Sequence, residues 1–375
     1  MRSLIVGWYG HGNIGDELLS VAAYKILGDA FGRPPIIASV NPTITSDSLS
    51  ELIPDETTKI VRWPASMQPR DLMSKSFIRT ISAVVESGCV VIGGGGMFSD
   101  WRGSKVHRWL EFISICKKLG KKTVLMGIGA GPFFNKAIAQ RIGNIINKDV
   151  DLIIARDTMS KKYLEEQAGV TKEVELLPDL VFYLRDVIGN RPRKRERIVA
   201  NFVPFPDLAD GYSQGIIEFL EDAAKNNIVE LLPFHHSDWQ FHRKLAEKVR
   251  SSNIRPLPLQ NINATIEKLS LAKVAILTRY HAMVLGSLLE TPFVPLIYHH
   301  KSAELLHKLG VDDCLIDVGN GSQWKRSIPS FKDYHDSFEC VNNKLDEISL
   351  KLRVISEQQL ITSKKYVELL RQLLD

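Results

Sequence analysis

Close-spaced cysteines are missing from this chain. Its four cysteines, Cys89, Cys116, Cys314 and Cys340, include no two-residue spacing. That excludes a zinc ribbon, a dithiol redox pair and a disulfide scaffold, and cysteine use this sparse suits a reducing compartment. Long apolar runs are missing too: no stretch approaches the roughly eighteen apolar residues that a membrane helix needs. The opening MRSLIVGWYGHG has one arginine and an apolar run that stops at glycines, without the apolar core and small-residue cleavage site of a signal peptide. A cytoplasmic protein is expected. A dominant charge is also lacking. Lysine and arginine number 48 against 43 acidic residues, a net charge of +5. An excess this mild permits anionic substrates or contact with an anionic inner membrane face and does not demand nucleic acid. Tandem repeats and low-complexity tracts are absent.

What is present is a globular composition, 44% hydrophobic and 24% charged. At roughly 150 residues per domain, 375 residues predict two domains and a tail. Short continuous apolar runs at 4–9, 36–40, 59–63, 89–93, 123–129 and 151–155 read as strands buried on both faces. Helical stretches at 15–31, 69–86, 104–119 and 135–148 lie between them. This alternation predicts βαβ units and a doubly wound parallel sheet. The rhythm breaks at 186–197, where five of the seven residues from Arg191 to Arg197 are basic. That run reads as a solvated linker or as a docking surface for an anionic lipid or phosphate-rich acceptor. Strands at 197–203, 228–234, 253–257, 274–278 and 293–298 then predict a second α/β domain, with helices across 212–227 and 238–251. Leu345, Ile348, Leu352 and Ile355 follow at helical spacing. The expected division is 1–190, 191–340 and closing helices over 341–375. Two such halves imply a cleft, with chemistry in the loops after the strands.

Those loops carry the candidate residues. Gly10, Gly12 and Gly15 have the dinucleotide spacing directly after a strand. The acid expected about 20 residues later is absent, because the next strand ends Ser39, Val40, Asn41. Asp16 and Glu17 also place negative charge where a pyrophosphate would lie. The loop reads as a tight turn whose Asp16 favours the helix start, or as an acceptor loop in which Asn13 and Asp16 hydrogen-bond sugar hydroxyls. Gly94, Gly95 and Gly96 belong to a run of four glycines, 93–96, expected as a loop that approaches a ligand. A third glycine-rich loop lies at 127–133. Arg156 reads as an anion clamp or as half of an Arg–Asp pair, and Asp179 as a turn residue or a site carboxylate. His235, His236 and Asp238 form an H-H-x-D cluster. A metal is discounted there because no further ligand cluster supports it; Asp238 reads as functional or as a helix cap. The junction Thr278-Arg279-Tyr280-His281 can aim a guanidinium and an imidazole the same way, one to clamp an anion and one to move a proton. Lys301, after the next strand, adds a second cation.

Taken in order, GNIGDE (12–17), GGGGMFSD (93–100), GIGAGP (127–132), Arg156-Asp157 with Ser160, PD-x-x-F (178–182), PFH (233–235) with Asp238, and TRYHA (278–282) with Tyr298 and Lys301 resemble the polysaccharide pyruvyl transferase family. Thr278 stands where the family usually has serine, and Tyr298-His299 where Tyr-Asp is commoner. The resemblance implies an α/β fold of two Rossmann-like domains whose parallel sheets face a central cleft, as in glycosyltransferases of the B type. It implies transfer of the enolpyruvyl unit of phosphoenolpyruvate to a sugar as a cyclic ketal, in exopolysaccharide or cell-envelope biosynthesis, without cofactor or metal. His281 becomes the catalytic residue and Arg279 a donor ligand, with Arg156 a second one. His281 itself or a site carboxylate, Asp16 or Asp179, would accept a hydroxyl proton. The implied partners are phosphoenolpyruvate and a sugar acceptor, lipid-linked or free, with self-association left open. A glycosyltransferase using a nucleotide-sugar donor is the alternative, ahead of a non-catalytic scaffold and a nicotinamide-dependent enzyme.

Overall fold

The computed structural model describes residues 1–54, 58–64, 74–100, 106–189, 196–205, 209–318 and 328–373. The basic run at 191–195 lies outside them. The chain forms two compact units, one of residues 1–12, 16–183 and 359–375, the other of 13–15 and 184–358.

Among the described residues, the first unit is built on seven strands: β1 (Ser3–Val6), β2 (Ile36–Ser39), β3 (Ile60–Arg62), β4 (Cys89–Phe98), β5 (Lys122–Ala130), β6 (Leu152–Ala155) and β7 (Glu175–Leu176). They pair in the order β3-β2-β1-β4-β5-β6-β7, all parallel. Leu4, Ile5, Val6, Val90, Val91 and Ile92 have no accessible surface, as strands covered by helices on both faces require. The order reverses between β1 and β4, where open parallel sheets bind ligands beyond the strand carboxyl ends. The terminal helix Lys365–Arg371 belongs to this unit; its buried Tyr366 donates to the Pro178 carbonyl at 2.8 Å.

The second unit repeats the plan with β8 (Arg197–Asn201), β9 (Val229–Leu231), β10 (Ile254–Pro256), β11 (Ala272–Leu277), β12 (Phe293–Ile297) and β13 (Ile316–Asp317). The order is β10-β9-β8-β11-β12-β13, again parallel. Its reversal falls between β8 and β11. The helix Leu345–Ser363 buries Ile348 and Leu352. Among the described residues, no helix is long and apolar enough to cross a membrane.

Two features depart from expectation. The run 93–96 is not a loop: β4 continues through it to Phe98, pairing Gly95 with Ile128 and Gly96 with Gly129 of β5. Glycine is needed within this strand, since Gly94 and Gly95 have φ of 75° and 104°. A β-carbon on Gly93 would also lie 2.4 Å from the Met126 carbonyl oxygen. The second departure is a disulfide between Cys314 and Cys340, 26 positions apart. It joins the short turn Asp312–Cys314 to the helix Phe331–Asn342. Adjacent spacing was therefore the wrong test, and cysteine usage no longer supports a reducing compartment. Cys89 and Cys116 are free and buried, and burial pushes the Cys89 thiol up to about 12.

Candidate functional site

In the second unit, polar side chains gather where β8, β9 and β11 end. β11 stops at Leu277, and Thr278 donates from its hydroxyl to the Asn201 carbonyl at 2.7 Å. Arg279 holds the N-cap position of the helix Tyr280–Leu288 in extended conformation, its backbone N–H donating to Asn201 Oδ1 at 3.1 Å. Its side chain forms a fork with Asp238: Nε donates to Oδ2 at 2.7 Å and Nη2 to Oδ1 at 2.6 Å. Such a fork fixes the guanidinium plane as well as its position.

Asp238 is fully buried, yet its carboxylate is well supplied with donors. Phe234 N–H reaches it at 3.2 Å and Asn201 Nδ2 at 3.3 Å. Burial alone would raise its pKa; the hydrogen bonds and charge of Arg279 overcome that and hold it below the usual carboxylate range. Arg279 keeps 21% of its side chain exposed. Asp238 accepts from Nε and Nη2, Ser237 Oγ accepts from Nη2 at 3.3 Å, and the side chain still meets solvent. His242 lies behind, fully buried, with Nε2 within 3.1 Å of the Phe202 backbone N–H. Burial pushes it down to about 4, so it is neutral near pH 7. His235 caps the helix His236–Lys248, its Nδ1 accepting from Ser237 N–H at 3.2 Å. Burial and the Arg279 charge lower its pKa.

His281 follows Arg279 by two positions, in the first turn of the same helix. Its imidazole packs on Gly15. A β-carbon built on Gly15 would lie 2.3 Å from Nδ1 and 2.6 Å from Cγ, so no side chain fits there. The loop is held against this unit by Ile14 N–H donating to the Phe234 carbonyl at 3.0 Å. Asn13 accepts from Gly15 N–H at 3.1 Å, which makes its side chain a local brace. The third glycine of the dinucleotide-like spacing thus serves the histidine. The Tyr280 and His281 rings lie 5.3 Å apart, edge to face, and Lys301 Nζ sits 5.5 Å above the Tyr280 ring.

In the first unit the expected residues divide. Arg156 and Asp179 are enclosed, with side chains 1% and 0% exposed and Nη1 3.1 Å from Oδ2. Asp157 lies 3.7 Å from Arg156 Nε. A guanidinium so enclosed holds the loops after β6 and β7 together and is not presented to a ligand. Gly12 has φ of 71°, and a β-carbon there would meet nothing within 4 Å. Asp16 is half-buried in the first turn of the helix Ile14–Phe31.

Sequence reasoning read Glu17 only as negative charge in the first helical turn, and passed over Asn201 and the contact of Gly15 with His281. Glu17 is 2% exposed and accepts from Gly10 N–H at 2.7 Å and Thr45 Oγ1 at 3.0 Å. Burial raises its pKa to about 7, against the opposing pull of those hydrogen bonds. The folded protein then binds this proton more tightly than the unfolded chain. The resulting stability is complete below about pH 4.5 and is lost as pH rises through 7. Glu17→Gln is expected to flatten stability over that window, a change on the order of 3 kcal/mol at full extent. Thermal unfolding of both proteins from acid to neutral pH checks this; parallel curves would contradict it. The only sequence signal for Asn201 was a polar residue closing a buried strand.

Residues 13–300 match the family polysaccharide pyruvyl transferase. The chain belongs to that family. Every residue of the Asn201, Asp238, Arg279 and His281 cluster lies within the matched span. The amylovoran biosynthesis protein AmsJ of Erwinia amylovora is 25% identical over 260 residues, which cover 61% of this chain and 61% of AmsJ. Among solved structures, HepE of Anabaena in complex with UDP-glucose aligns with a TM-score of 0.64 at 12% identity, over 100% of this chain and 99% of that one. A glycosyltransferase from Rickettsia africae aligns at 0.63 and 12% identity over the same shares. The UDP-GlcNAc 2-epimerase of Neisseria meningitidis aligns at 0.63 and 11% identity, over 99% of each chain. These similarities establish a glycosyltransferase-B-like fold and no more.

Proposed function

We propose that this chain transfers the enolpyruvyl unit of phosphoenolpyruvate to a sugar, forming a cyclic pyruvate ketal. The observation that carries the reading is the junction itself: Arg279 fixed by the Asp238 fork at 2.6 and 2.7 Å, with His281 set two positions later against Gly15. Phosphoenolpyruvate bears a phosphate and a carboxylate, and the Arg279 guanidinium supplies the matching cation, with Lys301 beside Tyr280 as a second. The enol ether becomes electrophilic at C2 once C3 is protonated, and His281 is the group that gives this proton. A sugar hydroxyl adds to C2 and loses its proton. Phosphate then leaves with its bridging oxygen, and a second hydroxyl closes the ketal as its proton departs. His281, left basic once it has given its proton to C3, accepts one from a hydroxyl.

Arg279→Lys is expected to raise the phosphoenolpyruvate KM by about tenfold or more, because a point charge cannot both replace the Asp238 fork and hold an anion in two places. Steady-state kinetics at varied donor checks this; an unchanged KM removes Arg279 from the donor site. The reading as a whole is tested by phosphate release from phosphoenolpyruvate across a panel of sugar acceptors. Acceptor-dependent release supports it. The second reading, glycosyl transfer from a nucleotide sugar, draws on the architecture shared with HepE, which was crystallised with UDP-glucose. Release of UDP from a UDP-sugar without phosphate release would favour it.

A further inference from the structure

The first unit holds an arrangement that the chemistry above leaves unused. Its sheet reverses order between β1 and β4, and the carboxyl ends of those two strands carry Trp8 and the positive-φ glycine Gly95. A β-carbon built on Gly95 would lie 3.9 Å from Trp8 Cδ1 and 4.0 Å from Asp16 Oδ1. Leu19 Cδ1 lies 3.8 Å from the same point and Gly95 is buried, so the indole and the carboxylate meet around this glycine at the floor of the crevice. The strand stays accessible beyond it, since Gly96 is exposed and has nothing within 4 Å of where its β-carbon would be.

Trp8 is rigidly backed. It is half-buried, with Trp109 edge-on at 5.5 Å, and Trp63 stacks on Trp109 at 5.5 Å. Trp109 and Trp63 are 3% and 4% exposed. The exposed His11 ring lies 5.5 Å from the Trp8 ring and is tilted 55° to it. A fixed aromatic face beside a carboxylate and open backbone suits a ligand with an apolar C–H face and hydroxyls at its edge. A pyranose sugar has that chemistry, and the crevice at the point of strand-order reversal is where a ligand is expected.

We infer that Trp8, Asp16 and the Gly95–Gly96 backbone form a sugar platform: the pyranose ring stacks on the Trp8 indole and its edge hydroxyls bind Asp16. The assignment of this sugar as the pyruvyl acceptor rests on the function proposed above. Trp8 then sets which face of the ring is bound, and Asp16 which edge hydroxyls are held.

The test is saturation-transfer NMR with the methyl glycosides of glucose, galactose, mannose and N-acetylmannosamine at millimolar concentration, with thermal unfolding in phosphoenolpyruvate run on the same samples. Transfer to the ring C–H protons of at least one glycoside is expected in the native protein. Affinity should weaken by about tenfold or more in Trp8→Ala and be largely kept in Trp8→Phe. The isosteric Asp16→Asn should weaken it without altering the unfolding curve, which covers the case in which Trp8→Ala fails to fold. Transfer that persists unchanged in Trp8→Ala or Asp16→Asn overturns the platform, as does absence of transfer from all four glycosides. Sugar binding lost with Trp8 but no stabilisation by phosphoenolpyruvate leaves the platform standing and removes the donor assignment instead.

Discussion

Transfer by His281→Ala is expected to fall by about 10³-fold or more, while the protein stays folded and binds phosphoenolpyruvate nearly as before. A positioned general acid contributes about 10²- to 10⁴-fold, and protonation of C3 is the step without which C2 is not electrophilic. In the proposed mechanism the donor is held by charge at Arg279, whose geometry is set by Asp238 and Asn201 and not by the imidazole. The fold tolerates the change because His281 lies half-buried in the first turn of a helix whose following residues, Ala282 to Leu289, supply the buried packing. Alanine is also the best helix former. Single-turnover phosphate release, with donor binding followed by calorimetry, separates the two effects. Wild-type turnover in His281→Ala would remove the histidine from the chemistry.

Gly15→Ala is expected to act on the same imidazole without touching its chemistry. The added methyl carbon would lie 2.3 Å from Nδ1, well inside van der Waals contact, so the ring must rotate or the loop must lift. The loop is tied by Ile14 N–H to the Phe234 carbonyl at 3.0 Å and by Asn13 to Gly15 N–H at 3.1 Å, which leaves the ring as the part that gives. Displacement of a catalytic group by about 1 Å costs on the order of 10²-fold in rate. Overpacking costs about 1–3 kcal/mol of stability. The expected signature is a kcat lowered by about 10²-fold with little change in the phosphoenolpyruvate KM. A selective rise in KM would instead place Gly15 at the donor, the phosphate-approach role that its spacing first suggested.

That contrast marks how far sequence carries. Continuous apolar runs such as CVVIG and VAILT declared buried parallel strands, and the alternation with helices declared two α/β units, because burial on both faces leaves no polar alternation. The two-residue strand β13 had no such run. The four glycines read as a loop because glycine weakens a strand, yet pairing with β5 holds Gly95 and Gly96 in the sheet. Arg279 and His281 were legible because their order along a strand-to-helix junction fixes where both start. The Asp238 fork, the fit of Gly15 to His281, the Arg156–Asp179 pair and the Cys314–Cys340 bond were not, because each joins residues that only the folded chain brings together. Glu17 was misread for a related reason: it read as charge facing a pyrophosphate position, whereas the turn of the helix buries it under Gly10 and Thr45.

The central claim, that the Arg279–His281 junction receives phosphoenolpyruvate, is met most directly by thermal unfolding with millimolar phosphoenolpyruvate and, in parallel, uridine diphosphate. A ligand at about 100 times its dissociation constant adds about 2.7 kcal/mol. The account predicts stabilisation by phosphoenolpyruvate that disappears in Arg279→Ala. Stabilisation by uridine diphosphate alone would contradict it.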